Sequence, residues 1–476
     1  MELFTLLADP SIGFLGQTYE VYLNWIGVII KWIIGLTSVG VGIILFSLLL
    51  KIVVMPFDIY QRIAMRKQNN KMKENQARME KLQKQYANDK DMYNQKLMEM
   101  YKESGISMFS SCLPMILSMV IFFVAIGAFN AYASYSVVDN YNKMVSAYNG
   151  RLQEFCADIG DNCENVTVDG DKLVIKENGK YIYYTVSTPT GETFEKNEKG
   201  KAYIESIGNE VRQYYIDMTA AEAPEIKSFV ENAMAQNTEN TEYTRENAVK
   251  DYFVGQAQEA VVDCYEDKVS KDTKFLWIKN IWATDASYKH PVLEYKDFEV
   301  EAKRKDFKIN GEKEKFSEVN GLTKVYQKDA YELVTGKLDE QKDQANGYFI
   351  LILLSIGTIL LQQFVSMRSQ KEQQQFSSVD GQGASQQKMT MIIMTGMFAI
   401  FSFMYSSAFS IYMITSNIFS LVATLVINKF VDKAEEKREM QALEAKYTKR
   451  YAGAKVVVKD APKEKKEKKS GKSDKK

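Results

Sequence analysis

The chain reads as an α-helical polytopic membrane protein: five transmembrane helices, a cytoplasmic helical hairpin and an α+β extracytoplasmic insertion. Three observations predict this. Four apolar runs are long enough to cross a bilayer, one of them is long enough to cross it twice, and the charges between the runs are sorted by sign. Whole-chain averages hide the pattern. Lys plus Arg equals Asp plus Glu at 61 each, and the mean hydropathy is -0.28. At 476 residues the chain is long enough for two or more domains.

A helix rises about 1.5 Å per residue and the hydrocarbon layer is about 30 Å thick, so a span needs about 20 apolar residues. Residues 35–55 form the first, interrupted only by Lys51. Residues 108–131 and 347–367 form the second and third without a charge. Residues 389–428 hold no charge over 40 positions, about 60 Å if helical. Two spans, 389–405 and 408–428, joined by a turn near Ser406–Ser407 fit this run better than one helix.

Orientation follows from Lys and Arg beside the spans. Residues 56–107 carry 11 basic and 7 acidic side chains, and the tail 429–476 carries 17 and 9. The link 368–388 has three basic residues, whereas 132–346 has 28 basic and 40 acidic. The positive-inside rule therefore puts 56–107, 368–388 and the tail in the cytoplasm, and 1–34 and 132–346 outside. Residues 1–20 lack a basic start, so no cleaved signal peptide is expected. A multi-pass protein of a bacterial plasma membrane, N-terminus out and C-terminus in, is the expected location.

Before the first span, Trp25, Trp32, Tyr19 and Tyr22 suit the membrane interface, with Lys31 among isoleucines. This predicts a helix lying on the outer leaflet, the alternative being an extension of span one. In 56–107, Met65, Met72, Met79 and Tyr86 recur every seven residues, and Tyr93, Leu97 and Met100 resume after 88–91. That pattern predicts two antiparallel helices sharing a coiled-coil-like, methionine-rich seam, or a plain solvated connector. Outside, 166–187 alternates as strands joined at Asp169-Gly170 and Asn178-Gly179. Residues 245–267 read as a helix with Val249, Phe253, Ala257, Ala260 and Cys264 on one face. The tail from Val456 is lysine-rich and disordered by composition. Its charge suits anionic lipid or ribosomal RNA, or serves topology alone.

The sole histidine, His290, argues against a histidine-based metal or acid–base site. No nucleotide loop, metal-ligand spacing or nucleophile elbow is present, so neither a cofactor nor an enzymatic centre is expected. Four cysteines do not make a disulfide scaffold, but Cys156 and Cys163 are close enough in sequence to pair.

Lys51 is the one charge inside a span. A charge in hydrocarbon costs roughly 2.5–3.5 kcal/mol on insertion scales, which points to a function. Snorkelling to headgroups near Pro56, about 7.5 Å along the axis, is the competing reading. Ser118, Gln362, Gln363, Thr395, Ser410, Thr415, Ser416 and Asn417 add polar groups to other spans. Each serves as glue between helices, or together with Lys51 they line a hydrated cavity. No intramembrane carboxylate is present, which argues against a carboxylate proton pump.

In order along the chain, several segments resemble the YidC/Oxa family of membrane protein insertases. These are 44–57 with Lys51 ahead of Pro56-Phe57; a Met- and Lys-rich hairpin; Cys112-Leu113-Pro114; Phe275-Leu276-Trp277-Ile278 with Asp285; and 408–417 ending in Asn417. The resemblance covers roughly 20–131, 275–290 and 347–435; residues 132–274 and 291–345 stand as insertions. Departures are Lys51 for the family's arginine, Ser118 and Val120 for a Gln and a Pro, Met413 for a tryptophan, and Ser407 near an expected proline. The resemblance implies a groove, open to cytoplasm and lipid, formed by Lys51, Ser118, Gln362, Gln363, Ser410 and Asn417. Implied partners are nascent membrane proteins and the lipid bilayer, with the ribosome through the basic tail and a Sec translocon beside it, and no DNA. The alternatives are a membrane-anchored extracytoplasmic binding or assembly factor, or a transporter or channel.

Overall fold

The computed structural model describes residues 12–104, 108–159, 166–169, 172–177, 180–185, 202–207, 211–216, 223–369 and 382–450. The chain divides into two compact units, Met1–Val422 and Ala423–Lys476. In the second, the described residues are helical through Arg450 and expose Phe430, Met440 and Leu443.

The first unit opens with a short strand, β1 (Glu20–Val21), and helix α1 (Trp25–Gly35). Asn24 caps α1 by accepting from the Gly27 amide at 2.8 Å, which satisfies one of the amides a helix start leaves bare. The helix stops at Leu36, and α2 (Val39–Gln85) begins anew at its N-cap Ser38. Gly27, Ile30 and Ile33 are buried, while Trp25, Val28, Trp32 and Leu36 face outward. Lys31 does not stand alone among these residues: its Nζ donates to the Tyr135 hydroxyl at 2.5 Å.

The α2 helix does not end where the apolar run ends. It continues through Pro56, because one proline removes a single N–H donor while the residues on both sides favour helix. Helix α3 (Lys90–Glu103) starts at Asp89, whose carboxylate accepts from the Met92 amide at 3.0 Å. Met79 of α2 and Met100 of α3 are buried, and Arg78 pairs with Glu103 at 2.9 Å. The side chains of Met65 and Met72 lie outside the described set.

Helix α4 (Met108–Ile159) departs from the expected boundary at 131 and carries on for 28 more residues. It forms the spine of the polar domain. Against it pack α6 (Arg245–Cys264), which follows α5 (Ala223–Gln236), and α8 (Tyr295–Lys303), which follows the short α7 (Ser270–Thr273), with α10 (Lys328–Val334) beside them. The buried face of α6 is Val249, Phe253, Ala257, Val261 and Cys264, so Val261 occupies the place expected of Ala260. A π-helical turn, Tyr265–Val269, follows it directly. An aromatic core joins Tyr141, Phe298, Tyr331, Phe307 and Tyr326; the Phe298–Tyr331 rings stack at 4.5 Å. Cys156 is disulfide-bonded and Cys264 is a buried free thiol; Cys163 lies outside the described residues.

Two sheets complete the domain. Strands β2 (Val166–Asp169), β3 (Lys172–Glu177), β4 (Lys180–Thr185), β5 (Ala202–Ile207) and β6 (Val211–Ile216) run in the order β2-β3-β4-β6-β5. In the register, Val168 is opposite Leu173 and Ile175 opposite Ile182. The second sheet is β1-β7-β8, with β7 at Asp306–Ile309 and β8 at Glu312–Lys315.

The chain then returns to α12 (Ile350–Ser369), having passed α9 (Phe316–Leu322) and α11 (Asp339–Asp343). Asp285 ties this return. Its fully buried carboxylate accepts from the Tyr348 amide at 2.7 Å and the Leu351 amide at 2.6 Å. Asn346 closes the same knot through Asn280 and Thr284. Gly347 leaves room for the carboxylate: a Cβ there would lie 1.9 Å from Asp285 Oδ1. After α12 come α13 (Gln382–Met404) and α14 (Ser407–Arg450). Only Tyr405 and Ser406 separate α13 from α14, and Ser407 donates from both its amide and its hydroxyl to the Ala283 carbonyl at 2.8 Å.

Among the described residues, four helical stretches are long and apolar enough to cross a membrane: Val39–Tyr60, Val120–Glu154, Ile350–Arg368 and Ser407–Phe430. Thr395–Met404 of α13 is a shorter apolar stretch.

Two predictions follow from this packing. Gly347→Ala forces Asp285 off the α12 amides and lowers the melting temperature in detergent, an overpacking loss of about 1–3 kcal/mol; Asp285→Ala lowers it similarly by baring the amides. The second concerns Lys305, whose buried ammonium donates to the Ala131 carbonyl and is pushed by burial down to about 8. Below that pH both folded and unfolded chains carry the proton and burial opposes folding in full. Between about pH 8 and 10 the unfolded chain alone holds the proton, so stability rises with pH. Burial raises the hydroxyls of Tyr326 and Tyr331 above their ordinary range, so they reverse the trend above about pH 10. Thermal melts of wild type and Lys305→Met between about pH 7 and 10 check this, the variant losing the rise.

Candidate functional site

Where the apolar helices meet, packing is uneven along their length. On α2, Val39, Ile43, Phe46 and Ser47 are buried; among its described side chains none from Leu48 to Arg78 is. On α12, Leu351, Ile352, Ser355 and Ile359 are buried, and none of the described side chains beyond Ile359 is. The bundle is close-packed at the end that carries the polar domain and loosens toward the other end.

An aromatic layer marks the close-packed end. Phe46 meets Phe129 edge-on at 5.6 Å, and Phe129 meets Tyr412 at 5.5 Å. Phe122 contacts Phe398 at 4.7 Å and Phe409 at 5.7 Å. Four helices, α2, α4, α13 and α14, thus supply one apolar plug with rings at the spacing that offset and edge contacts favour. These aromatics are not periodic in sequence, and no pattern in a single chain picks them out.

Ser355 of α12 and Ser402 of α13, toward the close-packed end, share a hydrogen bond of 3.0 Å. The other polar pairs lie past the aromatic layer. Further along, the Thr395 hydroxyl donates to Gln363 Oε1 at 2.8 Å. Asn417 of α14 donates to the Thr358 hydroxyl of α12 at 3.4 Å. So Gln363 and Asn417 each join two helices, and Thr358, Ser355 and Ser402, which the sequence did not single out, also bond across helices. Gln362 is half-buried on α12 beside Gln363. Ser410 stands apart, buried within the aromatic layer, its hydroxyl without a hydrogen-bond partner among the described residues. Ser118 lies on α4, and its side chain is outside the described set.

Lys51 follows Ser47 by one helical turn, so it shares the inward stripe of Ile43 and Ser47. The lipid-facing stripe of α2 is different: Leu45, Leu49, Ile52 and Val53 are exposed. Lys51 is half-buried, with no hydrogen bond or ion pair among the described residues; the acidic group whose field reaches it is Asp58, seven residues on. Counted from the first residue of each helix, Lys51 lies about 18 Å along α2, Gln363 about 20 Å along α12 and Asn417 about 15 Å along α14. A cation, an amide pair and hydroxyls thus occupy similar depths where packing loosens. Nothing in this set is a nucleophile–base pair, and among the described residues no group of His, Cys, Asp or Glu could hold a metal ion.

Residues 29–150 and 265–436 match the model of the family described as 60Kd inner membrane protein. A membrane protein insertase YidC of Caldanaerobacter subterraneus is 34% identical over 123 residues, 26% of this chain and 53% of that protein. One of Fusobacterium nucleatum is 36% identical over 88 residues, 18% of this chain and 41% of that protein. One of Streptomyces avermitilis is 28% identical over 176 residues, 36% of this chain and 39% of that protein. The chain thus spans about half or less of the length of these relatives. No solved structure matches it. The internal unmatched stretch, 151–264, includes all five strands of the larger sheet and the whole of α6. The match covers well over half of the sequence and both ends of the helical bundle, and the chain is a member of the 60Kd inner membrane protein family.

Proposed function

We propose that this protein inserts other proteins into the membrane, through a hydrated groove whose one cation is Lys51. The observation that carries the reading is where Lys51 sits: on the inward stripe of α2, past the aromatic layer, where the buried positions of α2 and α12 give out. A lysine placed only to snorkel would need no inward face.

Five spans fit this reading. The four long apolar helices are joined by α13, which is 23 residues long and ends two residues before α14. With the basic hairpin of α2 and α3 in the cytoplasm, the polar domain and the N-terminal segment lie outside. The boundaries are then 35–55, 108–131, 347–367, 389–405 and 408–428 for the spans, with 56–107, 368–388 and 429–476 inside. The aromatic layer closes the groove to the outside.

Carrying a polar segment across hydrocarbon is expensive because its backbone and charged groups lose water. A groove that admits water from the cytoplasm shortens the dry path. Lys51, in an environment of lower dielectric than water, attracts an acidic residue of the entering segment more strongly than bulk solvent allows. Gln362, Gln363, Asn417 and Thr358 offer amide and hydroxyl partners to its backbone. Its apolar part then leaves sideways into lipid, with no covalent step. Nascent membrane proteins and the bilayer are the partners this requires. The basic tail suits a ribosome, and action beside a Sec translocon is compatible with the same groove.

The test is insertion into proteoliposomes of purified protein, scored by protease protection of a short substrate with an acidic translocated tail. Lys51→Ala is expected to lower protection about fivefold or more, and Lys51→Arg to retain it, since charge is the operative property. Equal insertion by wild type and Lys51→Ala would remove the cation from the mechanism. No protection above empty liposomes with wild type would remove the reading itself. A further expectation is that Gln363→Leu, which breaks the bond to Thr395, lowers insertion less than Lys51→Ala while shifting thermal stability by about 1 kcal/mol.

A further inference from the structure

The segment ahead of the first span is not a loose tail. Ile12, Leu15 and Val21 are buried. Asn149 of α4 grips the backbone twice, accepting from the Leu15 amide at 3.2 Å and donating to the Gly16 carbonyl at 2.7 Å. Two turns away on the same face of α4, Asn142 donates to the Tyr19 carbonyl at 2.9 Å and accepts from the Tyr326 hydroxyl, while that hydroxyl accepts from the Tyr19 amide at 3.0 Å. β1 then pairs with β7, Glu20 opposite Lys308 and Val21 opposite Phe307. The Tyr22 amide donates to the Asp306 carbonyl at 2.8 Å, and Lys313 sits 3.5 Å over the Tyr22 ring.

These partners come from distant parts of the chain. Residues 12–22 precede the first apolar helix, whereas Asn142, Asn149, β7, Lys313 and Tyr326 lie between the second and the third. We propose that the polar domain is an intramolecular clamp for the chain's own N-terminal segment. The domain is completed only when that segment has been delivered to its side of the membrane. Once completed, it holds α1 and the start of α2 against α4 and opposes withdrawal of the first span. Val21 covers the aromatic core at Phe307, and Asn142 and Tyr326 are left with bare polar groups if the segment is absent. Burying such groups unpaired is expensive, so the domain and the segment order each other. This role does not depend on the insertion reading, because it concerns the protein's own topology and its test reads no substrate.

The experiment uses the full chain in membrane vesicles. Glu20→Cys with Lys308→Cys places two thiols at exposed, directly opposed strand positions, so mild oxidation joins them without disturbing the core. Glu20→Cys with Glu312→Cys, on the next strand, is the control and should not join. A site for a specific protease inserted between Gln17 and Thr18, inside the held segment, should resist cleavage in the wild-type background. It should be cut about tenfold faster in Asn142→Ala/Asn149→Ala, which removes three of the segment's hydrogen bonds. The same double variant should join the 20/308 cysteine pair more slowly. Absence of the 20/308 disulfide in folded protein overturns the clamp. So does a double variant whose inserted site stays as resistant as wild type.

Discussion

A helix that starts at a membrane boundary leaves its first amides without partners, and the rest of this structure hangs on how α12 meets that demand. Asp285 supplies the answer with a buried carboxylate on the Tyr348 and Leu351 amides. The helix dipole adds to the attraction, since negative charge is favoured at an N-terminus. Because the same carboxylate lies in the segment that leads out of the π-helical turn after α6, the bond ties the polar domain to the bundle. It also lets the chain leave at Ala286 and come back at Gly347, whose amide donates to the Ala286 carbonyl at 3.3 Å. About sixty residues of α8, β7, β8, α9, α10 and α11 are thereby accommodated without displacing α12.

From that junction the bundle is built in two layers. Near the domain, aromatic rings and small buried hydroxyls such as Ser355 and Ser402 let five helices approach closely. Farther away the helices share fewer buried side chains, and the contacts between them become polar. Lipid gives no hydrophobic drive for helices to associate, so a polar pair between helices holds them only where its groups find each other. Gln363 with Thr395 and Asn417 with Thr358 do so. Lys51 stands at a similar depth, with no hydrogen bond or ion pair among the described residues.

The polar domain is more than an appendage on this scaffold. Its spine is the continuation of α4, its smaller sheet takes a strand from the N-terminal segment, and Lys31 of α1 reaches Tyr135 on the same spine. Surface ion pairs such as Lys308 with Glu20 add little by themselves. The backbone bonds and buried apolar groups around them carry the junction.

Hydropathy and charge sorting, read from the residues alone, marked the apolar runs, a turn near Ser406–Ser407, an interruption of the hairpin over 88–91 and the singular position of Lys51. These are local properties: a period, a run length, a capping residue or an isolated charge is visible within a few turns of chain. Tertiary structure alone decided that α4 continues past 131, since only packing against α6 and α8 makes a solvated helix of that length worthwhile. It decided the aromatic layer, whose members have no common spacing, and the partners Thr358, Ser355 and Ser402, which are ordinary residues until two helices bring them together. It also decided that Lys31 bonds Tyr135 and that residues 12–22 belong to a domain encoded more than a hundred positions later. Contacts between residues so far apart depend on how helices and strands meet in space, and no periodicity along one segment records that meeting.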